Sequence, residues 1–390
     1  MSGLYTFAGE GSGQATHYKG FKLNTRNLFF THPMRPFFTA AAAAAVFGAA
    51  SFFLRADAVL FHRLVFLQLL PAAAYSGFLL TAVPDWTGYT GRLKNIGFAL
   101  FAPLLFAALA LPFWPQAAAF AVAACWWLLL AFCTYCVWRG RNTDNFAILL
   151  LLLLFALVQT AYASSGNPAL LRSLIHLNIA AVMLVSFRVS VVLGAEALKS
   201  CRLKDPVFIP NFVYKNMAIL FLLLYAAAGL RLPAEAAGFG ALAVGFVILA
   251  KLRELHHWEL LRRHYIAFYY LIQLSAAAGY LWLGANTLLG KPQGAPLHLI
   301  TLGAMLGAIM LVFLTAGLRH SGFAGLNYPA PTRAAFTCLF AAALCRAVLS
   351  AWHPLFLITV PAALVAAAFT LYLYCFIPIF RANAFTDDPE

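Results

Sequence analysis

The run FAILLLLLLFALVQTAYA fills residues 146–163, with an unbroken leucine block at 149–154. Eighteen residues of α-helix rise about 27 Å, close to the ~30 Å hydrocarbon thickness of a bilayer. No charge interrupts the run. A barrel strand would alternate apolar and polar residues over roughly 10 positions, and this run does not alternate. The backbone must therefore satisfy its own hydrogen bonds as a helix in lipid. The same character extends along the chain of 390 residues. Hydrophobic residues make up 63% and charged residues 10%, and mean hydropathy is +0.84. A soluble domain is about one quarter charged.

Working outward, apolar runs predict an all-α, polytopic membrane helix bundle of about twelve transmembrane helices. They fall at 36–54, 59–84, 95–112, 116–138, 146–163, 170–193, 212–230, 234–250, 264–289, 296–316, 334–350 and 354–380. The domain reading is a polar N-terminal segment 1–35, a single transmembrane bundle 36–380 and a tail 381–390. With the N-terminus inside, nineteen Lys and Arg fall in inner loops and four (Arg55, Arg172, Arg231 and Lys291) in outer ones. That asymmetry puts both termini in the cytoplasm. The net charge of +14 then faces anionic lipid headgroups, and nucleic acid is excluded as a partner. Residues 1–30 lack the apolar core of a cleaved signal, so the first helix is read as an uncleaved membrane signal in a bacterial inner membrane. Six of the seven cysteines lie in apolar helices and only Cys201 outside them, so a disulfide framework is excluded. Cys133 and Cys136 form C-x-x-C within a membrane helix and read as small buried hydrophobes.

Three histidines mark the starts of three spans: His62, His176 and His298, 114 and 122 residues apart. Those intervals fit four-helix internal repeats, which would be parallel and would set the three imidazoles at one depth. Neutral imidazole at matched depth suits haem iron or copper; an isolated histidine near a helix end is ordinarily interfacial. Arg63 and Arg346 lie toward the same outer side, with few acids near them, and would pair with haem propionates. Arg188 lies deeper, eight residues before Glu196, and reads as a structural ion pair or an anion site. On the inner side, His32 beside Met34, and His320 at a helix end, are candidate metal ligands. Lys251 to His264 reads as a basic interfacial stretch. No Asp or Glu lies mid-span, which disfavours cation-driven transport. The chain has no P-loop, His-Glu-x-x-His or oxidase His-Pro-Glu signature.

Several of these residues carry a resemblance. Arg35 to Phe38 (RPFF) and Gly77 to Gly88 (GFLLTAVPDWTG) resemble the R-P-F-F entry and the G-F-L-L-T-A-V-P-N-W-T-G run of the NnrS family. His298 to Gly322 resembles that family's H-x-x-x-x-G-A-x-G…T…H-[ST]-G segment, and His176 and Arg188 match its helix-six His and Arg. Where many members read W-H-A-H-E-M, this chain has Phe61 to Phe66, with Leu64 and Val65 in place of the second His and the Glu. Many members also carry an Ile-Pro-Phe-Phe-Thr-like run after the arginine, where Val189 to Glu196 stand here. The resemblance implies a membrane protein with b-type haem and copper, binding nitric oxide or a related diatomic ligand in nitrosative-stress defence. His298 and His176 are the first expected iron ligands and His62 the next. The sequence names no electron donor. Competing readings are a haem or copper transporter or assembly factor for respiratory oxidases, and a haem-based sensor.

Overall fold

The computed structural model describes residues 28–54, 57–141, 143–199, 201 and 211–386. Most of the expected N-terminal segment, the last four residues and the basic positions Arg55, Arg202 and Lys204 lie outside the described residues. Among the described residues every regular element is helical. Ten helices are long and apolar enough to cross a membrane, and two shorter ones complete the series. In chain order they are α1 Met34–Leu54, α2 Ala58–Thr87, α3 Lys94–Ala110, α4 Pro115–Gly140, α5 Phe146–Ser165, α6 Pro168–Lys199, α7 Phe212–Ala227, α8 Ala234–Leu255, α9 His264–Leu288, α10 Gly294–Arg319, α11 Ala330–Ala351 and α12 Pro354–Ala382. Of the two shorter members, α3 stops at Ala110, two residues before the expected end, while the helix of α7 continues to Arg231 and covers the expected 212–230.

Local chemistry sets the helix ends. Asn167 accepts from the Ala169 amide, and Asn211 from the amides of Val213 and Tyr214, so each satisfies donors left over in a first turn. The run at 77–88 is shaped by its two glycines. A Cβ at Gly77 would lie 2.8 Å from both Phe37 and Phe38, so this glycine lets α2 press against α1. Gly88 ends α2 at φ 65°, a left-handed cap that a side chain would strain.

Burial sorts the helices. The apolar stretch of α2 is 83% buried inside the bundle, that of α10 78% and that of α6 61%, against 33–50% for the other seven long helices. The three most enclosed helices are thus the three that carry the outer histidines. α6 packs against α2 and α10 beside those histidines, and α9 packs closely on α8 and α10. The chain ends also meet, because α1 packs along α12. Arg35, fully buried, donates through Nη1 to the carbonyls of Leu28 at 2.9 Å, Phe380 at 2.9 Å and Asn383 at 2.8 Å.

Candidate functional site

α2 and α10 share a local irregularity. The i→i+4 ladder widens to a π-helix at Val65–Leu69 in α2 and at Leu299–Leu306 in α10. Each π segment lies within the turn after a histidine, His62 in one case and His298 in the other. π-Helix is rare and gathers at functional sites, because widening the ladder re-aims the side chains around it. His62 and His298 lie within electrostatic reach of each other, and both within reach of Arg63 and Arg346. Chain segments more than 230 residues apart in sequence thereby converge.

The two imidazoles differ in their hydrogen bonding. His298 Nδ1 lies 2.7 Å from the Gly294 carbonyl. A carbonyl only accepts, so Nδ1 carries the proton and Nε2 presents a lone pair. An oriented Nδ1–H donor with a free Nε2 is the usual arrangement of a metal-ligating histidine. His62 packs between Phe52 and Phe66, at ring separations of 4.9 and 4.7 Å. Its Nδ1 is buried without a partner. Among the described residues no ion pair involves Arg63 or Arg346. Among the described residues the group is therefore two imidazoles and two guanidiniums in no ion pair with a carboxylate, a donor set that suits an anionic, iron-bearing ligand.

His176 has a separate setting. Its Nδ1 shares a 2.7 Å hydrogen bond with the Tyr280 hydroxyl. Tyr225 packs edge-on at 4.6 Å, and Arg172 is its charged neighbour. The structure does not bring it into the His62–His298 group. Arg188 donates to Asn145 Oδ1 at 2.7 Å and stacks 3.6 Å above Trp86. It thus ties α6 to the last turn of α2 and to the 143–145 turn. The expected pair with Glu196 does not form: eight residues separate them by about 12 Å of helix rise, and Glu196 bridges Lys199 at 3.6 Å.

At the opposite end, His32 and His320 both lie parallel to the ring of Phe385, at 3.7 and 5.0 Å. His320 Nδ1 lies 3.1 Å from the Thr386 carbonyl, and His32 Nδ1 accepts from the Met34 amide. Burial, helped by the nearby His320 and Arg35, pushes the His32 imidazole down to about 3. Among the described residues no three of His, Cys, Asp and Glu gather to hold a metal ion. Cys133 and Cys136 are buried free thiols. The basic stretch after α8 is only partly interfacial. His256 and His257 are exposed, but Lys251 is buried, 3.3 Å from Glu254 and 3.0 Å from the Tyr269 hydroxyl. His264 accepts from the Tyr328 amide at 3.3 Å.

Sequence reasoning missed Tyr280, Phe385 and Gln273. An amide flanked by Ile272 and Leu274 in an apolar helix was the available signal for Gln273. Nothing local announces the partners of His176 or His320. A family model described as NnrS protein matches residues 28–383. No curated protein and no solved structure matches the chain.

Proposed function

The chain belongs to the NnrS family, and we propose that it is a haem protein of the bacterial inner membrane that binds nitric oxide in nitrosative-stress defence. Both termini face the cytoplasm in this reading, which places the His62–His298 group toward the periplasmic side. Ferrous haem supplies an iron that binds a diatomic gas. His298 is the iron ligand, because its Nδ1 proton is held by Gly294 and its Nε2 is free. Arg63 and Arg346 take the propionate carboxylates as charge-assisted partners. His62, whose Nδ1 lacks a partner, is the group left to hydrogen-bond the gas. The gas is neutral and soluble in lipid, so it reaches the group from the bilayer without a polar channel. His176, bonded to Tyr280, holds the wall of the bundle between α6 and α9.

The observation that carries this reading is the tautomer-fixed imidazole of His298 beside His62 and two arginines that form no ion pair among the described residues. The optical spectrum of the purified protein tests it. We expect a Soret band that shifts with nitric oxide, lost in His298→Ala. His62→Ala should keep the band and change its response to the gas. A colourless protein that takes up metal reversibly would overturn the reading in favour of a permease, and so would a His298→Ala variant with full haem content.

A further inference from the structure

Midway along the bundle, α2, α6, α9 and α10 leave a cavity of about 60 Å³ between them. Ala74 lies twelve residues past His62, Ser186 ten past His176 and Ala308 ten past His298. Each interval is about 15–18 Å of helix, so the cavity sits deeper in the bundle than the histidine group. Its walls are almost wholly apolar, with Val185, Ile309 and Val312 among them. Directly beyond it, Gly303 and Gly307 bring α10 hard against Ser275 and Ile272 of α9, so the gap is bounded by close packing on that side.

Four polar side chains line it. Tyr75 donates to the Asn178 carbonyl, Ser186 to Met183, and Tyr269 to the Ser186 carbonyl. The fourth is Gln273, 1% exposed, and both of its amide atoms are buried without a hydrogen-bond partner. Leaving such a group unsatisfied costs about 1–3 kcal/mol. A buried water wants two to four polar partners, and in these almost wholly apolar walls it would have to find them in the Gln273 amide and the acceptor lone pairs of the three hydroxyls. A haem is far too large for about 60 Å³.

We propose that this cavity binds one neutral, gas-sized molecule in the middle of the membrane, held by apolar contact and by a hydrogen bond from the Gln273 amide. The chemical class is a small uncharged diatomic with a weak acceptor atom. Only the identity of that gas as nitric oxide rests on the function proposed above; the site itself stands on the cavity and the amide. It would store the gas between lipid and the His62–His298 group.

Xenon is the probe, followed by xenon NMR on the full chain in detergent against a micelle blank. The wild type should give a saturable shift. Ala308→Phe, which fills the space, should return the shift to the blank with its circular dichroism and melting unchanged. Gln273→Ala, which enlarges the space, should retain or increase it. Gln273→Leu should keep xenon binding but weaken competition by nitric oxide roughly fivefold, the loss of about 1 kcal/mol of hydrogen bonding. A wild type indistinguishable from the blank, or a folded Ala308→Phe that still binds xenon, overturns the site. Equal competition by nitric oxide in wild type and Gln273→Leu overturns the role of the amide. Xenon binding in a protein whose optical spectrum ignores nitric oxide would remove the haem reading and leave the cavity standing.

Discussion

Two guanidiniums without carboxylates are costly in a membrane unless an anion joins them. Arg346, half-buried beside His62 and His298, is in that position among the described residues, and the exposed Arg63 lies beside the same pair. If they hold carboxylates, each bond is charge-assisted and contributes about 1.5–3 kcal/mol. Arg346→Gln should therefore weaken haem retention by roughly tenfold or more, read as the haem-to-protein ratio after dilution and re-isolation. Unchanged retention in the double variant with Arg63→Gln would remove them from the site. His32 allows a pH prediction. Folding holds its imidazole near 3, below the ordinary 6.5, so it stays neutral when folded and takes up a proton when unfolded. Its contribution is complete above the unfolded value and declines as pH falls from about 6.5 toward 3. Melting temperature in detergent should drop between pH 7 and pH 5, and His32→Gln should flatten that slope. A variant with the same slope would place the acid sensitivity elsewhere.

Among the helices, α2 shows most directly how residue choice sets packing. A methyl group at Gly77 would meet Phe37 and Phe38 at 2.8 Å. Gly77→Ala should therefore destabilise the α1–α2 contact by about 1–3 kcal/mol, measured as a lower midpoint in thermal or denaturant unfolding. An unchanged midpoint would mean that α1 shifts freely. In the sequence, Gly77 marks a place where helices can approach closely, and Pro84 with Gly88 marks where this helix breaks; the left-handed cap at Gly88 is what the structure adds. The π segments were not legible. Apolar periodicity specifies only that a helix is buried, and nothing in Val65–Leu69 or Leu299–Leu306 distinguishes an i→i+5 ladder from an ordinary one. The span of α3 was read two residues too long because its apolar run continues past Ala110 into Leu111 and Pro112. The setting of His176 was unreadable for a different reason: Tyr280 is 104 residues away, and a match in depth says nothing about azimuth around the bundle.

Across the whole molecule, the all-helical membrane bundle was legible because lipid allows few alternatives. The ranking of helices by burial was not, since every span is apolar on all sides and central and peripheral helices look alike as sequence. The charge asymmetry predicts orientation, and Cys201, the one cysteine outside the apolar helices, reports it. A membrane-impermeant maleimide should leave intact cells unlabelled and modify Cys201 once the inner face is opened. Cys201→Ser should abolish that signal. Labelling of Cys201 in intact cells would invert the topology and move the His62–His298 group to the cytoplasmic side.

The buried Arg35 also bears on biogenesis. Two of its three carbonyl partners, Phe380 and Asn383, lie 345 and 348 residues further along the chain. Until α12 is synthesised that guanidinium waits in an incomplete environment, near the entry of α1. A nascent chain truncated before α12 is finished would keep it waiting, and would present quality-control proteases with an exposed mark of an unfinished product. The contact between α1 and α12 can therefore lock only once α12 has been made.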